Sequence, residues 1–198
     1  MLRVIGKELK NHAPHTALGV VSGIIAMFLF YRLPHRIAFN VFYTLHPLHV
    51  VFSAMATASL YKLHRQRERC NIWMLYLIGY TGVIVIATIS DSIIPYIGEI
   101  LLNLPNRGIH IGFIEKWYLI NPLALLGVTI AYFKTQSKHP HTIHVLLSTL
   151  ASLFHIIMAL GGKIDFVSSI VIAIFLFLAV WIPACGSDIV YPLLFLKE

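Results

Sequence analysis

Charge is what this chain is short of: only 12% of its 198 residues are Asp, Glu, Lys or Arg, about half the share of a soluble domain. That scarcity, with 58% hydrophobic residues and a mean hydropathy of +0.80, excludes a soluble globular fold. Cysteine is scarce too. Cys70 and Cys185 are too few and too far apart for a disulfide framework or a four-thiolate zinc site. The first residues lack a short apolar core followed by a small-residue cleavage site, so the first apolar run reads as a retained helix. No Lys or Arg interrupts the long apolar runs. The net charge of +7 therefore belongs to connections, which argues for topology and against a nucleic-acid footprint.

What is present is apolar sequence in helix-length blocks. A bilayer core needs about 20 apolar residues per helix, so the chain has room for about six spans. The expected class is an all-α, polytopic membrane helical bundle forming a single membrane domain over residues 1–198. Residues 1–13 suit a surface-lying amphipathic helix. Spans are expected at about 16–31, 40–63, 72–95, 118–133, 142–160 and 166–182, with the most basic loop, KLHRQRER, after the second.

Counting basic residues in connections gives the orientation. With the N-terminus inside, Arg3, Lys7, Lys10, Lys62, Arg65, Arg67, Arg69, Lys134, Lys138 and Lys197 face the cytoplasm. Only Arg32, Arg36, Arg107, Lys116 and Lys163 face outward. Both termini are then cytoplasmic.

Polar residues inside the apolar runs repeat. LHPLHVVFSAMATASLY from Leu45 has a counterpart in HPHTIHVLLSTLASLF from His139, with His49 and Ser53 matched by His144 and Ser148. Ser90-Asp91 before Pro95 is matched by Ser187-Asp188 before Pro192, at His-to-Asp separations of 42 and 44 residues. Pro14 to Gly19 is matched by Pro122 to Gly127. These matches predict a duplication over about 12–100 and 118–198. Three spans per copy would enter the second copy from the opposite side, the inverted-repeat plan of secondary transporters.

An ionisable group within a span is costly and normally faces the bundle interior with a partner. Asp91 and Asp188 are expected to follow that rule, in two clusters, one toward each face: His49, Ser53 and Asp91 outward, His144, Ser148 and Asp188 inward. His155, about three turns beyond His144, is expected to return toward the outer cluster as a third ligand. Carboxylate, imidazole and hydroxyl together suit a divalent metal such as zinc, iron or manganese, and suit proton relay as well. Each residue also has a plainer role, the histidines and serines as packing groups and Ser-Asp-before-Pro as a helix cap.

The leading functional expectation is a carrier for a divalent transition metal, possible proton coupling included, with a small ion as substrate and the bilayer as partner. A second is an intramembrane zinc hydrolase acting on a lipid, similar in residue type to the seven-helix ceramidase and adiponectin-receptor group. A third is a b-type haem protein pairing His49 with His64 and His141 with His155. A fourth is an accessory subunit whose polar residues lock helices together. A homo-oligomer is compatible with all four.

Overall fold

The computed structural model describes residues 2–64, 71–135, 138–162, 164–185 and 190–195, and every regular element among them is helical. In chain order they are α1 (Leu2–Phe30), α2 (His35–His64), α3 (Ile72–Thr88), a π turn (Ile89–Ile93), α4 (Ile94–Leu101), α5 (Gly112–Glu115), α6 (Trp117–Phe133), α7 (Lys138–Leu160), α8 (Phe166–Cys185) and α9 (Tyr191–Leu193).

Three stretches, His35–His64, Ile72–Leu101 and Ile143–Leu160, are long and apolar enough to cross a membrane. Ala17–Phe30, Trp117–Phe133 and Phe166–Trp181 are shorter apolar helices. The distribution of side chains is compatible with a membrane protein. Leu18, Ile25, Leu29, Leu77, Val85 and Ile174 point outward and are more than half exposed, whereas His46, His49, Asp91, Glu99, His144 and His155 are at most 2% exposed. A water-soluble fold places these classes the other way round.

Two expected boundaries move. The surface helix and the first span are one helix, with Pro14 inside it. The third apolar run does not stop at Pro95 but continues through the π turn and α4 to Leu101. Pro95 has no N–H to reach the carbonyl four residues back, that of Asp91, and its ring crowds that oxygen. The helix widens just upstream instead, and the Ile94 N–H bonds to the carbonyl of Ile89.

α2 and α7 share the most extensive contact in the bundle. They run antiparallel, since His49 meets His144 with ring centroids 5.5 Å apart while Phe42 meets His155 at 5.4 Å. α2 also packs on α3 and α6, and α7 packs on α8 and α1. Two glycines allow these approaches. A Cβ on Gly127 would lie 2.5 Å from the Val51 carbonyl oxygen and 2.8 Å from Ala54 Cβ, and one on Gly19 would lie 3.0 Å from Thr149 Oγ1.

Because the Val51 oxygen is backbone, α6 must move for Gly127 to carry a side chain. Gly127→Ala is expected to destabilise the bundle by about 1–3 kcal/mol, as overpacking does. The check is the thermal midpoint of the detergent-solubilised protein, and an unchanged midpoint would contradict the close approach. At the start of α8, Asp165 caps the helix by accepting from the Ser168 backbone N–H at 2.9 Å and the Ser168 hydroxyl at 2.6 Å. Those bonds hold its carboxyl below the usual Asp range.

Candidate functional site

The interior polar residues converge on Asp91, which is fully buried. It sits in the π turn, a departure from α geometry that is frequent at functional sites. Five side chains reach its two oxygens, Ser152 the most distant at 3.5 Å from Oδ1. Oδ2 accepts from Nδ1 of His49 at 2.6 Å and Nδ1 of His46 at 2.9 Å. Oδ1 accepts from the Ser90 hydroxyl at 2.7 Å and the Ser148 hydroxyl at 2.9 Å. Ser152, one turn beyond Ser148 on α7, donates to the Ser90 carbonyl at 3.0 Å.

Helical spacing explains the gathering. His46 and His49 lie three apart on α2, and Ser148 and Ser152 four apart on α7, so each pair shares a face of its helix. A carboxylate only accepts, so both Nδ1 atoms carry the hydrogen in this arrangement. The two rings are held from behind as well. His46 stacks on Phe42 with centroids 5.3 Å apart and planes at 12°, and its Nε2 abuts Gly112, where a Cβ would leave no space.

The ligand atoms of His46, His49 and Asp91 lie within 4.8 Å of one another. Two imidazole nitrogens and one carboxylate oxygen are a donor set for zinc and its first-row neighbours, with the Ser148 hydroxyl adjacent. His49 is at the middle of the 30-residue α2, so the cluster is far from either end of that helix.

Of the residues singled out by sequence, the structure brings together His49, Asp91 and Ser148, with His144 against the His49 ring. Ser148 thus bonds Asp91 directly, and the His144 ring lies beside that of His49. Ser53 is one turn beyond His49, buried, with no hydrogen-bond partner for its Oγ among the described residues. His155 does not bond Asp91; its Nδ1 is 2.7 Å from Glu99 Oε1. Asp188 lies outside the described residues, as does the side chain of Cys185. Asp91 makes no helix cap, since its carboxylate is taken by side chains of α2 and α7.

His46, Ser90, Ser152 and Glu99 were not among the ligands expected from sequence. For His46 the signal was present, as His-x-x-His at a spacing that shares a helix face. α2 runs through the intervening Pro47 without a break.

The fold and site together define an all-helical bundle of membrane-spanning character with a buried histidine and aspartate cluster. No protein-family model, curated protein or solved structure matches the chain.

Proposed function

We propose that the protein is an integral membrane carrier for a divalent transition-metal ion such as zinc, iron or manganese, and that the ion passes through the His46, His49 and Asp91 cluster. The observation that carries this reading is a fully buried carboxylate oxygen shared by two imidazole nitrogens at 2.6 and 2.9 Å, in the middle of an apolar helix. Such a group is costly in a membrane interior, where intramembrane carboxylates and histidines mark ion pathways. A cation that takes these three atoms displaces the Nδ1 hydrogens, which move to Nε2 on a neutral ring and leave as a proton from an imidazolium. Metal binding then competes with the charged form of either imidazole, which is the basis for proton coupling.

The proposed architecture is six spans in two inverted three-helix repeats, with both termini cytoplasmic. The packing supports it. Exchanging α1 with α6, α2 with α7, α3 with α8 and α4 with α9 maps the principal helix contacts onto one another: α2 on α6 becomes α7 on α1, and α4 on α8 becomes α9 on α3. The glycines obey the same exchange. Gly127 lies against Ala54 and Gly19 against Thr149, the positions five residues beyond His49 and His144. A binding site at the interface of such repeats, away from both faces, suits alternating access.

A zinc-dependent lipid hydrolase is the second reading, favoured by the gathering of Ser90, Ser148 and both histidines around one carboxylate, a single asymmetric group. The pairing of His49 with His64 for haem gains nothing from the geometry, because His64 is exposed and its Nδ1 bonds the Leu60 carbonyl of its own helix; the side chain of His141 lies outside the described residues.

The test is flux into proteoliposomes carrying an internal metal indicator and an internal pH indicator. Saturable entry of zinc, iron(II) or manganese with a matching pH change is expected. Absence of flux for all three ions, with lipid cleavage in the same vesicles, would replace the carrier by the hydrolase.

A further inference from the structure

A second polar group lies where α4, the loop after it and α5 meet α2 and α7, and transport through Asp91 makes no use of it. Glu99 is 1% exposed. Its Oε1 is 2.7 Å from Nδ1 of His155, and its Oε2 accepts the Gly108 backbone N–H at 3.2 Å. The carboxylate only accepts, so in this bond the His155 hydrogen is on Nδ1 and the lone pair of the neutral ring is on Nε2. That Nε2 is buried and has no hydrogen-bond partner among the described residues.

A carboxylate behind one ring nitrogen and a bare lone pair on the other is the arrangement by which a metal-ligating imidazole is oriented. A second imidazole stands close by. The rings of His110 and His155 have centroids 5.4 Å apart. His110 is fixed through its backbone, whose carbonyl accepts from the Ser92 hydroxyl at 2.5 Å in the π turn. Its Nδ1 is 3.4 Å from Glu115 Oε2, the carboxylate that Tyr43 also engages, and Lys116 Nζ is over the Tyr43 ring.

Exposure falls along this line, from 38% for the Glu115 side chain through 22% for His110 to 0% for His155. Phe42 stands between it and the central cluster, edge-on to His155 at 5.4 Å and stacked on His46 at 5.3 Å.

We propose that His155 and His110, with Glu99 orienting His155, form a second station for a divalent transition metal, between the exposed side at Glu115 and the central cluster, with Phe42 as the partition. Imidazole nitrogens select first-row transition ions and zinc over calcium and magnesium, which take oxygen ligands. The inference rests on the reading of the central cluster as a transport site.

Cobalt(II) binding to the purified full-length chain, counted by equilibrium dialysis and followed by its visible absorption, tests it. The wild type is expected to bind two ions. His110→Ala alters a part-exposed loop residue and is expected to leave one. Glu99→Gln, nearly isosteric, is expected to weaken one of the two by about 10–100-fold, as loss of an orienting carboxylate does. Asp91→Asn is expected to remove the other ion.

A single ion in the wild type, kept by His110→Ala and lost in Asp91→Asn, would overturn the second station and leave the central reading standing. No bound cobalt in the wild type would overturn both.

Discussion

Asp91→Asn is expected to abolish transition-metal binding and flux while leaving a folded but less stable bundle. The carboxylate now accepts from five side chains, two histidines on Oδ2 and three serines on Oδ1. An amide keeps one acceptor oxygen for the two imidazole N–H groups and turns its NH2 toward the serine hydroxyls, which must then accept instead of donate. The substitution also removes the negative charge that offsets an incoming cation there. Bonds to a neutral amide replace charge-assisted ones, which are roughly twice as strong, so the thermal midpoint falls as well. The loss of affinity is expected to exceed the roughly 100-fold that follows removal of an outer-shell partner. Ser148→Ala removes only one of the five donors and is expected to be much milder on both counts. The measurement is a zinc titration of monodisperse Asp91→Asn protein, and wild-type affinity there would contradict the assignment.

The second large effect is expected at a residue that bears no ligand atom. A Cβ on Gly112 would fall on the Nε2 of His46 and 2.7 Å from its Cδ2, with Ile120 at 3.5 Å on another side. His46 has no slack to absorb this, because it is stacked on Phe42 and bonded to Asp91. Gly112→Ala is therefore expected to drive the ring away from the carboxylate and weaken metal binding by about 10–100-fold, the scale of losing a group that orients a ligand. Helix content is expected to hold, since Ala is a better helix former than Gly. Circular dichroism alongside the titration separates the two effects. Unchanged affinity would mean that the position of His46 does not matter.

The helical blocks were legible because a membrane helix demands uninterrupted apolar length; a helix covers each apolar run, and three of these stretches are long and apolar enough to cross a membrane. The third ran long because a proline within a membrane helix can be accommodated by a local widening instead of a break, which is what happens ahead of Pro95. Glu99 lies beyond the expected end of that span at Pro95, and within α4 in the structure.

Asp91, His49 and Ser148 could be picked out singly because each interrupts an apolar run. Their meeting could not. Depth counted along separate helices put the two copies toward opposite faces, but it carries no information on where α2 and α7 touch, and they touch at His49 and His144. Helical spacing aimed His155 at the cluster of His49 and Asp91, and its side chain is buried. It finds Glu99 instead, while the Phe42 side chain occupies the space between it and His46.

The most direct test of the central claim is X-ray absorption spectroscopy of the zinc-loaded His110→Ala chain, in which the second station has been removed. The account predicts a first shell at about 2.0–2.2 Å with the outer scattering of two imidazoles and one carboxylate oxygen, lost in the His110→Ala, Asp91→Asn double variant. A shell without imidazole scattering, or one that the Asp91 substitution leaves unchanged, would contradict it.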